Sequence, residues 1–98
     1  MLATEACLEA GAKVISIASV CIDDDEEKCN EPLYDEQFKE IYNQGVLIVA
    51  GSGNSEDASN KYPSAFRTVM SVSAVYQNKS WYEISTRNDQ TEIAAPGV

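Results

Sequence analysis

The chain predicts an α/β fold built on a parallel β-sheet, and three observations carry that prediction. Val46 to Ala50 is an unbroken apolar run with three β-branched residues. It is too short for a free-standing helix and suits a strand buried on both faces. A second β-rich run, Val14 to Val20, precedes it, and the residues that follow Pro32 keep helical spacing between the two. Strand, helix and strand in that order form a βαβ unit, whose strands run parallel through a right-handed crossover.

The elements follow in order. Residues 3 to 10 (Ala-Thr-Glu-Ala-Cys-Leu-Glu-Ala) favour helix, and Gly11 stops it. Val14 to Val20 is the first strand. Pro32 stands at the first turn of the next helix, after Asn30 or Glu31, with Leu33, Tyr34, Phe38, Ile41 and Tyr42 along one apolar face and Gly45 at its end. These aromatic residues read as core packing. Val46 to Ala50 follows, closed by Gly51-Ser52-Gly53 and then Asn54. A polar loop, Ser55 to Lys61, leads to a Tyr62-Pro63-Ser64 turn and a third buried strand, Val69 to Val75. Gln77 to Lys79 is a turn, Trp81 to Ser85 a short strand, Arg87 to Gln90 another turn, and Glu92 to Ala95 a last strand stopped by Pro96-Gly97. Both ends read as cuts through a larger domain, so residues 1–98 are expected to be a partial domain.

Composition narrows the partners. Sixteen acidic against seven basic residues give a net charge of −9, which argues against a nucleic-acid footprint and against adhesion to anionic membranes. Asp23 to Glu27 is an acidic run. It reads as a solvated loop, with calcium as the alternative, although its spacing is not that of an EF-hand. No stretch approaches the length that crosses a bilayer, and the N-terminus lacks the basic-then-apolar pattern of a signal peptide. Cys7, Cys21 and Cys29 are an odd count, leaving at least one thiol outside any internal pair. Cys21 and Cys29 bracket the acidic run and either staple it or stay reduced. Asn78-Lys79-Ser80 matches a glycosylation acceptor, a pattern that matters only in a secreted protein.

The chemistry available is limited. There is no histidine, so neither a Ser-His-Asp nor a Cys-His system can be assembled from this chain alone. No Cys/His cluster has zinc spacing. Gly51-x-Gly53 after a strand gives only a weak hint of a dinucleotide turn, because Glu56 stands where a third glycine is needed and the residues that follow do not open a clear helix. What remains is Asn54, just past the carboxyl end of a buried strand, where open parallel sheets receive ligands. Its amide is a neutral donor suited to a negative charge developing on an oxygen. The same asparagine after glycine also serves as an ordinary turn residue.

Four collinear pieces carry a family resemblance. They are Gly11-Ala-Lys-Val-Ile-Ser-Ile, Tyr42-Asn-Gln-Gly-Val-Leu-Ile-Val-Ala-Gly-Ser-Gly-Asn-Ser, Tyr62-Pro-Ser with Val69-Met-Ser-Val-Ser-Ala-Val, and Ser85-Thr-Arg-Asn-Asp-Gln with Ile93-Ala-Ala-Pro-Gly-Val. In order and spacing the chain resembles the middle of the subtilisin-like serine endopeptidases. The resemblance implies a three-layer α/β fold, a mostly parallel sheet with flanking helices. It implies peptide-bond hydrolysis through an acyl-enzyme, a polypeptide substrate and secretion. Calcium is implied only as a supporting ion, through backbone carbonyls near Ser64 and Phe66, and no cofactor is required.

Carried over by position, Asn54 falls on the family's oxyanion-hole asparagine. Gly51, Ser52 and Gly53 fall on one wall of the pocket for the side chain preceding the cleaved bond, where small residues keep the pocket open. Ala18, Ser19 and Val20 fall on the edge that pairs with extended substrate. There the family carries Ser-Leu-Gly-Gly and this chain has Ala18-Ser19-Val20-Cys21, so Val20 and Cys21 would crowd subsites that glycine leaves open. Ile84 replaces a usual Phe, an apolar swap. The aspartate, histidine and nucleophilic serine segments have no counterpart in the 98 residues, and the isolated chain is expected to be inactive. The alternative is a catalytically inactive relative or fragment acting as a binding or interaction module. Exposed strand edges would favour self-association of the isolated chain.

Overall fold

The computed structural model describes residues 2–21, 26–30 and 32–98. Asp23, Asp24 and Asp25 of the acidic run, and Glu31 at the expected helix entry, lie outside the described residues. The elements in chain order are α1 (Leu2–Glu9), β1 (Val14–Ile17), α2 (Glu26–Cys29), α3 (Pro32–Asn43), β2 (Leu47–Gly51), β3 (Val69–Val75) and β4 (Thr91–Pro96). The four strands form one sheet in the order β1-β2-β3-β4, each neighbouring pair parallel. The expected α/β parallel-sheet class is therefore the class observed.

Two glycines set the helix ends. Gly11 has φ +84°, and the amides of Gly11 and Ala12 donate to the carbonyls of Leu8 and Cys7 at 2.9 and 3.0 Å. That is a Schellman termination, which satisfies the last carbonyls of α1. Gly45, at φ +79°, ends α3 in a related way, its amide donating to Tyr42 O at 3.0 Å. Val46 then leads directly into β2.

Ile15 pairs with Ile48 and Ile48 with Val69 in register, so these side chains share one face of the sheet. Phe38 and Ile41 of α3 close over that face with Phe66, and Cys7 and Leu8 of α1 pack beside them. Phe38 and Phe66 have ring centroids 5.2 Å apart, and Tyr62 continues the stack at 4.8 Å. The opposite face is open: Val14 is 59% exposed and Leu47 40%. The reading of Val46 to Ala50 as buried on both faces therefore holds on one face only. Helical periodicity likewise overstated the apolar face of α3, because Leu33, Tyr34 and Tyr42 are exposed while Phe38 and Ile41 are buried.

Two strand assignments change. β1 stops at Ile17, not Val20, because no neighbour among the described residues continues the ladder beyond the Ile17–Ala50 pair. Trp81 to Ser85 is a turn region and not a strand. Trp81 makes a single antiparallel bridge to Val75, after which the amide of Ser85 turns back to Tyr82 O at 2.9 Å. Arg87 stacks its guanidinium 3.7 Å from the Trp81 ring centroid, a cation–π contact that holds this turn against the chain.

Candidate functional site

β2 is a central strand, and its pairing outlasts its last residue: Ser52 N donates to Val72 O at 2.9 Å. The chain must then turn sharply off the sheet. Gly53 makes that turn with φ +120°, a conformation L side chains rarely adopt. Asn54 follows, exposed. Among the described residues its side-chain amide meets no hydrogen-bond partner.

Asn54 stands on the rim of a cleft of about 240 Å³. Gly51 and Ser52 at the end of β2, Val72 to Ala74 of β3, and Ala95 to Gly97 at the end of β4 line the rest, together with Ser85. The cleft thus spans the carboxyl ends of three parallel strands, the position where open α/β sheets bind ligands. Among the described residues no charged side chain lines it. A charge developing there would meet neutral dipoles from this segment.

Behind the lining residues Ser52 and Ser73 lies a network of buried hydroxyls centred on Thr86, which is fully buried and does not itself line the cleft. Its carbonyl accepts from Ser52 Oγ and, at 2.7 Å, from Ser73 Oγ, while those two hydroxyls lie 3.0 Å apart. Its amide donates to Gly53 O at 2.9 Å. Its Oγ1 accepts from Ser55 N and donates to Ser55 O, both at 3.0 Å. The neighbouring Ser85 Oγ accepts from Ala74 N at 2.8 Å. Beyond the cleft, Asn88 Nδ2 donates to Ser59 O at 3.0 Å, tying the 55–61 loop to the same segment. In that loop the Asp57 carboxyl is held below the usual carboxylate range, first by the Ser59 hydroxyl and then by the Ser59 amide.

The residues singled out from sequence divide into two groups. Gly51, Ser52, Gly53 and Asn54 come together on the cleft. Their small size has different causes, however. A Cβ at Gly51 would meet nothing within 4 Å, whereas one at Gly53 would lie 2.8 Å from Lys61 Cγ and 3.0 Å from Thr86 Oγ1. Glycine at 53 is thus explained by its backbone and by packing, not by an open pocket. The Ser52 side chain is 2% exposed and spent on Thr86 and Ser73.

The second group lies elsewhere. Ser19 and Val20 border a separate hollow of about 420 Å³, with Cys21, Cys29, Tyr34 and Tyr62. Ala18 is exposed and lines neither space. A disulfide joins Cys21 to Cys29, and Cys21 N donates to Tyr62 O at 2.9 Å. Cys7 is free.

Near Ser64, where the resemblance places carbonyls for a supporting calcium, Phe66 O already accepts from Val69 N at 3.0 Å. Among the described residues no three His, Cys, Asp or Glu side chains could hold a metal ion. Sequence reasoning missed Thr86 as part of the site, since nothing in its local sequence marks a threonine whose partner, Ser55, is 31 residues away.

A parallel sheet with a neutral, hydroxyl-lined cleft over its carboxyl ends is the α/β arrangement in which ligands commonly meet strand-end backbone. The chain belongs to the subtilase family, whose model matches residues 2–98. It is 44% identical over 60 residues to the minor extracellular protease Epr of Bacillus subtilis strain 168, covering 58% of this chain and 9% of that protein. Over 55 residues it is 42% identical to subtilisin BL of Lederbergia lenta, covering 56% of this chain and 20% of that one. Among solved structures, the psychrophilic subtilisin-like protease Apa1 of the Antarctic psychrotroph Pseudoalteromonas sp. AS-11 superposes with a TM-score of 0.87 at 32% identity. That match covers 98% of this chain and 21% of Apa1. The chain therefore spans about a fifth or less of these relatives' length.

Proposed function

We propose that this chain is the oxyanion-stabilising segment of a serine endopeptidase that acts on polypeptides through an acyl-enzyme. The observation that carries the reading is the unengaged side-chain amide of Asn54, exposed at the rim of a cleft whose serine side chains are engaged elsewhere, Ser52 and Ser73 on the Thr86 carbonyl and Ser85 on the Ala74 amide. When a nucleophile adds to a peptide carbonyl, the oxygen takes up negative charge and the carbon becomes tetrahedral. A neutral amide N–H fixed beside that oxygen lowers the barrier without any proton transfer. Gly51 supports the reading as an unobstructed wall, since nothing stands within 4 Å of its missing Cβ. Ala18, Ser19 and Val20 would pair by backbone with extended substrate. The nucleophile and general base come from outside these 98 residues, which contain no histidine. Secretion is part of the proposal. A disulfide between Cys21 and Cys29 suits an oxidising compartment, and Epr is described as extracellular.

The test is Asn54→Leu in a protease domain that contains this segment. The expected result is a fall in kcat of about 10²- to 10³-fold with KM little changed, the size seen when subtilisin itself loses its donor asparagine and not a value worked from this chain. An unchanged kcat removes the reading. The second reading, an inactive relative serving as a binding module, is favoured by one observation: Ser19 and Val20 border a different hollow from Asn54. A domain that binds peptide but leaves a serine-directed fluorophosphonate unreacted would support it.

A further inference from the structure

We infer that Thr86 is the positioning residue of the site: it sets the backbone of Asn54, and so the point and Cα–Cβ direction from which the proposed oxyanion donor reaches the cleft. The inference rests on the functional reading above, which it deepens. Two peptide groups flank Asn54, and Thr86 is bonded to both. The preceding group is held through Gly53 O, which accepts from Thr86 N at 2.9 Å. The following group is held through Ser55 N, which donates to Thr86 Oγ1 at 3.0 Å, and that same hydroxyl donates onward to Ser55 O at 3.0 Å. With both neighbouring peptide planes fixed by one residue, the φ and ψ of Asn54 have little freedom. That fixes the direction in which the Cα–Cβ bond of Asn54 leaves the chain, so its rotamers sweep one region at the edge of the cleft.

The clamp is itself rigid. Thr86 is fully buried, and its carbonyl is anchored by the Ser52 and Ser73 hydroxyls, at the end of β2 and within β3. Its hydroxyl both donates and accepts, so its one proton is already committed and cannot turn towards solvent without breaking a bond. Close packing adds to this, because a Cβ on Gly53 would lie 3.0 Å from Thr86 Oγ1. Thr86 touches neither substrate nor reacting atoms and acts only through Asn54.

Two variants separate positioning from bulk stability. Thr86→Val keeps the shape and loses the hydroxyl, while Thr86→Ser keeps the hydroxyl and loses only a methyl. In the chain as it stands, amide exchange at Ser55 is expected to accelerate about fivefold or more in Thr86→Val beyond any global change, and to stay near wild type in Thr86→Ser. In the protease domain, Thr86→Val should lower kcat about 10- to 100-fold with KM within about twofold, the cost of a donor displaced by an ångström or so. Thr86→Ser should restore most of it. Ile41→Val, a core change remote from the cleft, calibrates what stability loss alone does. Exchange at Ser55 unmoved by Thr86→Val, or a kcat loss no greater than that of Ile41→Val, overturns the inference. If Asn54→Leu is silent the functional reading fails instead, and the exchange measurement still decides whether the clamp exists.

Discussion

Replacing Gly53 by alanine tests the strand-end turn directly, because the neighbouring Gly51 provides an internal comparison. At Gly53 the backbone has φ +120°, and holding an L residue in such a region costs about 1–3 kcal/mol. The added Cβ would also lie 2.8 Å from Lys61 Cγ and 3.0 Å from Thr86 Oγ1. Lys61 presents a flexible stem that can swing aside. Thr86 cannot, since it is fully buried and bonded through its amide, its hydroxyl and its carbonyl. Displacing its hydroxyl sacrifices a hydrogen bond worth about 1 kcal/mol. The expected loss for Gly53→Ala is therefore about 2–4 kcal/mol in urea unfolding. Gly51→Ala meets nothing within 4 Å and carries no left-handed φ, so it should stay within about 1 kcal/mol of wild type, on the stabilising side if it moves at all. A Gly53→Ala loss below about 1 kcal/mol, or an equal loss at Gly51, would refute the reasoning.

Two further outcomes follow from the same structure. Opening the Cys21–Cys29 disulfide, which closes a separation of 8 residues, should cost about 2–3 kcal/mol of chain entropy. A thermal midpoint indifferent to reductant would contradict that. The open sheet face around Val14 and Leu47, with β1 and β4 as the outer strands of the sheet, should make the isolated chain self-associate with rising concentration in sedimentation velocity. A monomer at every concentration counts against it.

Much of the fold was legible because its signals are local. Gly11 and Gly45 end their helices where the sequence placed the stops, and β3 runs from Val69 to Val75 as read. The parallel βαβ unit followed from strand, helix and strand in succession. The failures came where a neighbour, not the sequence, decides. The β-rich run extends past Ile17 in sequence but the strand does not, because among the described residues Ala18, Ser19 and Val20 find no ladder partner, and Trp81 to Ser85 gives up its strand to a turn stabilised by Arg87 on Trp81. Leu33 and Tyr42 keep helical spacing yet face solvent, since periodicity says which residues share a face and not how wide a strip is covered.

The site divides along the same line. An apolar run ending in Gly-Ser-Gly-Asn is enough to put a polar side chain at a strand tip, because strand propensity and glycine's backbone freedom act within a few residues. That Asn54 overlooks a cleft, that Ser52 turns inward, and that Gly53 packs against Thr86 all depend on groups remote in the chain, Ser73 and Thr86 being 21 and 34 residues from Ser52. Such pairings arise when the sheet assembles and buried hydroxyls must find partners, and no local pattern along the chain encodes which hydroxyl will meet which.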